Sequence, residues 1–391
     1  MKLKRIFVVI FIGWVLIHAD ALAQAPVPLP AQEDTSTWPG QKWEKAKLPQ
    51  QIIDKIEPMI ADAMNRDLSD VMGETRSVVI IYRGQLVLER YRDGFGPDTK
   101  QISWSMAKSF TSALVGRALD MGWIKSIDQP MPGPWDAPDP RAKITWRQWL
   151  NMTDGLKYSE IGEADLTKND VVQMMFGRGR FDTNAYVRQL PLAHSPGEHW
   201  NYSSAAYHMI GRALQTLIAK HAKSENINAK DMVNFANKQL FLPIGMDAQI
   251  EFDPAGTYMG GSLIWASATD FARFGYLFLR DGIWGRQRLM PKGWVEFAHT
   301  QTPAQNANIY GAGWWIQPND PANIRPAGKA SALPPQDSFS AQGHEGQTIW
   351  VVPSRDLVIV RLGLMGPDPQ NWPELFDWNQ RLAMAFPLVG E

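Results

Sequence analysis

Ser105-Met106-Ala107-Lys108 sets a hydroxyl and an amine three residues apart. On a helix that spacing puts both side chains on one face, about one turn apart. An amine beside a hydroxyl can take its proton, which is what a serine requires to act as a nucleophile. The same four residues also describe an ordinary solvated helix start with an unremarkable Lys, so the surroundings must decide. A loop-like stretch from Tyr91 to Ser103 precedes the motif and an apolar-periodic run follows it. Other chemistries have less to stand on. The chain has no Gly-x-Ser-x-Gly elbow. Its seven His residues show no metal-ligand spacing, and no glycine-rich phosphate loop follows a strand, so neither a metal nor a cofactor is expected. Cysteine is absent, which excludes thiol nucleophiles and Cys-bound metals.

The elements around the motif follow from hydrophobic period. Phe110, Leu114, Ala118 and Met121 form an apolar stripe that carries the Ser105 helix to Gly122. Upstream, Ile52, Ile53, Ile56, Ile60 and Ala63 predict a helix after Pro49. Ser77–Tyr82 and Gln85–Tyr91 predict a hairpin turning at Arg83-Gly84. Residues 131–255 read as helix and loop, opened by Trp146 to Leu150, with helices over Ala205–Lys220 and Asp231–Leu242. Beyond them come a helix over Thr269–Asp281, strands over Tyr310–Ile316, Thr348–Val352 and Leu357–Leu362, and a closing helix over Leu375–Phe386. The expected fold class is α+β: an antiparallel sheet flanked by helices, built from residues 46–130 and 256–391, with a mostly helical subdomain inserted at 131–255. The cleft between the two parts is the expected place for chemistry.

The N-terminus reads as a secretory signal. Lys2, Lys4 and Arg5 precede an apolar run from Ile6 to Ile17, and Ala21-Leu22-Ala23 offers a small-x-small site with cleavage after Ala23. The run is short of the roughly 20 residues a spanning helix needs, so no stable membrane insertion is expected after cleavage. Residues 24–45, rich in Pro and small residues, read as a linker. A periplasmic or secreted protein results. Removing residues 1–23 takes the formal charge from −1 to −3, leaving 36 basic against 39 acidic residues. Without a basic surplus a nucleic-acid partner is not expected.

Three phrases occur in a telling order: Ser105-x-x-Lys108, Trp200-Asn201-Tyr202-Ser203-Ser204, and Gly343-His344-Glu345-Gly346-Gln347. Between them lie Asp154-Gly155-Leu156, Leu242-Pro243-Ile244-Gly245-Met246 and Gly260-Gly261-Ser262. Together, over residues 45–388, they resemble the serine β-lactamase-related superfamily. The branch is that of class C β-lactamases, family VIII carboxylesterases and 6-aminohexanoate-dimer hydrolases. The resemblance implies a β-lactamase/transpeptidase-like fold and an acyl-enzyme on Ser105, with Lys108 and Tyr202 as acid–base groups. It further implies an oxyanion hole from the backbone N–H groups of Ser105 and Gln347. His344-Glu345-Gly346 would take the place of a Lys-Thr-Gly strand, making His344 and Gly346 substrate-binding candidates, Gly346 because a side chain there would obstruct the substrate. Tyr158 is a further candidate for the pocket wall.

Two departures bear on substrate. Where β-lactam-binding relatives carry Tyr-x-Asn, this chain has Tyr202-Ser203-Ser204, and where they carry a fixed cation it has His344. The resulting expectation is an exported serine hydrolase acting on small esters or linear amides. A β-lactamase or penicillin-recognising peptidase is the alternative, and a catalytically silent binding module of the same fold is the more distant one.

Overall fold

The computed structural model describes residues 38–40, 42–160, 165–224, 227–304, 310–316, 335, 337–366, 368 and 370–390. The expected signal peptide lies outside them. Helix α1 (Gln50–Asn65) buries Ile52, Ile56, Ile60 and Ala63, the helical spacing read from the sequence. Strands β1 (Glu74–Tyr82) and β2 (Gln85–Tyr91) join through Arg83 and Gly84, both with positive φ, the twist a two-residue hairpin requires. After the short β3 (Gln101–Ile102), a 3₁₀ turn over Trp104–Met106 runs into α2 (Ala107–Asp120).

The middle of the chain is helical. A reciprocal Thr145–Gln148 capping box starts α3 (Trp146–Leu150). There follow α4 (Asp170–Met175), α5 (Thr183–Arg188), α6 (Ser204–His221) and α7 (Ala229–Ala236). The helix expected over Asp231–Leu242 does not run through: α7 passes into a π turn and then a 3₁₀ turn that stops at left-handed Gly245. Next come β4 (Gln249–Ile250), β5 (Ile264–Ala266), α8 (Ala268–Leu279), the small hairpin β6 (Ile283–Trp284) and β7 (Gln287–Arg288), and α9 (Trp294–Ala298). The last part holds β8 (Trp315–Ile316), β9 (Phe339–Gly343), β10 (Gln347–Val352), β11 (Leu357–Leu364) and α10 (Asn371–Met384).

Six strands form one antiparallel sheet in the order β2-β1-β11-β10-β9-β8, so the first and last strands of the chain meet at its centre. Period-two alternation sorts their side chains onto two faces. Val78, Ile80, Ile359 and Trp350 pack with α1 and α10 in one core cluster, whereas Val79, Ile81, Val360 and Ile349 pack with α2, α8 and the inserted helices in the other. On the second face α8 comes close: a methyl at Gly275 would lie 2.6 Å from Ile349 and 2.7 Å from Val358. The α+β architecture expected from the sequence is therefore the one observed.

Two further expectations need correction. The Tyr310–Ile316 strand is a tight reversal bridging Tyr310 to Trp315, with only Trp315–Ile316 in the sheet. The region expected to be linker is, from Trp38 onward, part of the body. Trp38 and Trp43 both pack edge-on against Tyr276 of α8, and Arg273 donates to the Gly40 carbonyl at 3.0 Å. The two indoles hold this segment against α8 through their apolar area.

Candidate active site

Ser105 stands at the junction of the 3₁₀ turn and α2, half-buried. The backbone just before it is strained, because Trp104 is left-handed with φ +45°. Neighbours hold it there. Ser103 pairs with Ile264 through its N–H at 2.8 Å and accepts from the Ile264 N–H at 3.0 Å through its Oγ. The Trp104 indole N–H donates to Glu345 at 3.2 Å and packs edge-on against His344 at 5.6 Å.

One turn later Lys108 is almost fully buried, at 1 % exposure, and its Nζ has three oxygen neighbours. Ser105 Oγ lies at 2.8 Å, Ser204 Oγ at 2.9 Å and the Gly261 carbonyl at 2.8 Å. Close packing explains Gly261 here: a side chain on it would meet the Ser204 carbonyl at 2.7 Å and His208 at 2.8 Å. Burial pulls the Lys108 amine down to about 8, against the opposing charge of Glu160. A minority of the population is then the free amine near neutral pH, and most of it is above that value, beside the hydroxyl it would deprotonate.

Tyr202 closes the group from the other side. Its hydroxyl lies beside Ser105, and its ring lies 4.9 Å from Lys108 Nζ. Burial, then the charge of Glu160, raises its phenol well above the ordinary range, so it stays protonated. The ring stacks on Trp315 at 5.1 Å and meets Tyr310 edge-on at 5.7 Å, with Trp200 completing an aromatic wall. The hydroxyl of Ser109, one residue after Lys108, donates to the Gly313 carbonyl at 2.6 Å and pins this wall to α2.

Glu160 is a site residue that sequence reading passed over. One carboxylate oxygen accepts from the Ser204 hydroxyl at 2.6 Å and the other from the Ser204 N–H at 2.8 Å. A carboxylate 44 residues from its partner belongs to no short motif. Only the neighbouring Tyr158 hinted at the segment. Tyr158 itself is buried in the core beside Glu160, its carbonyl accepting from Asn201 at 2.8 Å.

The Gly343–Gln347 phrase is placed differently from the expectation. His344, Glu345 and Gly346 are the turn between β9 and β10, not a strand along the nucleophile. Gly346 has φ +82°, and a methyl there would meet Arg361 at 2.5 Å, so turn geometry and the buried Arg361 explain this glycine. Gln347 begins β10 opposite Gly343, its side-chain amide paired to both the carbonyl and the N–H of Gly363. Its backbone thus belongs to the β9–β10 ladder rather than to an oxyanion hole. Gly343 is what approaches the nucleophile: any side chain on it would collide with the Ser103 carbonyl. His344 is exposed at the turn.

Residues 65–363 match the model of the family described as Beta-lactamase. The chain belongs to that family. The 6-aminohexanoate-dimer hydrolase of Paenarthrobacter ureafaciens is 26% identical over 330 residues, covering 78% of this chain and 77% of that one. Among solved structures, a Bacillus anthracis protein provisionally described as a 6-aminohexanoate-dimer hydrolase matches with a TM-score of 0.65 at 20% identity, over 88% of this chain and 87% of that one. A penicillin-binding protein homologue from Caulobacter crescentus matches with a TM-score of 0.60 at 15% identity, over 87% and 99%. The protein is thus a hydrolase of the Beta-lactamase family with the β-lactamase/transpeptidase-like fold.

Proposed function

We propose that this protein is a serine hydrolase cleaving small esters or linear amides through an acyl-enzyme on Ser105, exported by its N-terminal segment. The observation that carries the reading is the buried Lys108 amine 2.8 Å from Ser105 Oγ. Lys108, as the neutral amine, takes the Ser105 proton while Oγ attacks the substrate carbonyl. Tyr202, kept protonated beside Ser105, passes a proton to the leaving group. Water then attacks the acyl-enzyme with the same groups acting in reverse. The oxyanion would lie between the Ser105 N–H and the Gly343–His344 end of β9, in place of Gln347. The aromatic wall of Trp200, Tyr310 and Trp315 supplies an apolar surface for an acyl chain, and similarity to a 6-aminohexanoate-dimer hydrolase favours linear amides among the substrates.

A fluorophosphonate probe followed by peptide mapping tests this. The wild-type chain is expected to label at Ser105 and to hydrolyse p-nitrophenyl butyrate, and Ser105→Ala to lose both while keeping its fold by circular dichroism. Wild-type esterase activity in Ser105→Ala would mean that the nucleophile lies elsewhere.

A further inference from the structure

We propose that Glu160 is the counter-charge of Lys108 and, acting through the Ser204 hydroxyl, the positioning residue that aims the lysine lone pair at Ser105. This rests on Lys108 being the base. The argument is one of donors and acceptors. A neutral lysine amine has two N–H bonds and one lone pair, and Lys108 Nζ has three oxygen neighbours. The Gly261 carbonyl can only accept, so it takes one N–H. Ser204 could point its proton either way, but a carboxylate at 2.6 Å can only accept it. With its hydrogen committed to Glu160, Ser204 must accept the second N–H of Lys108. The lone pair is then left for the hydroxyl of Ser105.

The same network serves the charged state. After proton transfer the ammonium finds an acceptor for each of its three N–H bonds, and Glu160 lies one hydroxyl away. Among the described residues no other formal charge acts on it. His208 of α6 is kept neutral by burial and by Lys108 itself, which pull it down to about 3. The phenols of Tyr202, Tyr158 and Tyr310 are all raised and remain protonated. Among the described residues, Glu160 is the group that opposes burial at the Lys108 amine. The 18-residue helix α6 fixes the carboxylate from behind through the Ser204 N–H.

The test is a titration that needs no turnover. The full chain is prepared with ¹³Cε- and ¹⁵Nζ-labelled lysine, and the Lys108 resonance is assigned by its loss in Lys108→Met. In Glu160→Gln the Lys108 midpoint is expected to fall by about 1 pH unit or more, the scale of one charge a few ångströms away at an effective dielectric near 20. The acid limb of kcat/KM should move down with it, because the base works only when neutral. Ser204→Ala, which keeps the carboxylate but frees the lone pair from its set direction, should lower kcat by about tenfold or more, with KM little changed. An unmoved Lys108 midpoint in Glu160→Gln overturns the proposal. So does wild-type kcat in Ser204→Ala, which decides the matter if the glutamate variant does not fold. Failure of the hydrolase reading would show separately, as absence of probe on Ser105.

Discussion

A buried amine serves as a base only where it is neutral, and that condition sets the pH response of this site. Burial holds the Lys108 amine near 8. Activity is therefore expected to rise with pH as Lys108 loses its proton, with the gain complete above that value. Tyr202 adds no falling limb in this range, because its phenol is raised. The expected kcat/KM for p-nitrophenyl butyrate climbs between about pH 7 and 9 and then levels, and a flat profile over that interval would remove Lys108 from the role. Lys108→Ala and Tyr202→Phe should each lose on the order of a hundredfold in kcat. The phenylalanine keeps the stack on Trp315, so any loss there reports the hydroxyl. Ser105 and Lys108 were suggested by spacing, since helix period brings them together, but only the phrases around them set that spacing apart from an ordinary helix start. Tyr202 was legible only through its phrase, and Glu160 not at all, because a contact across 44 residues is made by tertiary packing.

Elements with strong hydrophobic period were legible nearly to the residue, as with α1, the β1–β2 hairpin, α2 and β10. Strand β9 was not. Phe339-Ser340-Ala341-Gln342-Gly343 has no β-branched residue, and it is a strand because β10 and β8 pair with it on either side. Missing β9 is why His344-Glu345-Gly346 was read as a strand segment when it is the turn that β9 requires. That turn is clamped from within: Arg361, fully buried, donates to the Glu345 and Gly346 carbonyls, both at 3.1 Å. From its outer side Glu345 holds the indole of left-handed Trp104, the residue before the nucleophile. Gly346→Ala thus strains the turn and pushes on Arg361 at once, and should cost about 1–3 kcal/mol of stability together with a drop in kcat. Gly256 is the matched control, with φ +81° and nothing within 4 Å of an added methyl. Gly256→Ala should show the backbone cost alone, with kcat unchanged. Equal kcat in the two variants, measured beside their Tm values, would separate the turn from the chemistry.

At the scale of the whole molecule, the sheet and the inserted helices share one continuous core, and the site lies where they meet. The sheet side brings Ser105, Lys108 and the Gly343 end of β9. The insert brings Glu160, Ser204 and Tyr202, and the reversal at Tyr310–Trp315 brings the aromatic wall. This assembly bears on which acyl compounds turn over. Ser204, at the place where β-lactam-binding relatives carry an amide, is committed to Lys108 and Glu160 and has no proton to offer a substrate. His344, read from the sequence as replacing the fixed cation of those relatives, is an exposed imidazole on a turn, edge-on to Trp104. Losing one charge-assisted contact weakens transition-state binding by about 1.5–3 kcal/mol, or roughly 10- to 150-fold. A short ester needs neither contact, because its acyl chain can lie on Trp200, Tyr310 and Trp315 while the backbone donors hold the oxyanion. The expected outcome is ready hydrolysis of p-nitrophenyl butyrate, measurable cleavage of linear ω-amino amides, and slow or absent turnover of nitrocefin. The kcat/KM values for nitrocefin and the ester on one preparation decide it. A clear preference for nitrocefin would replace the ester and amide reading with that of a β-lactamase.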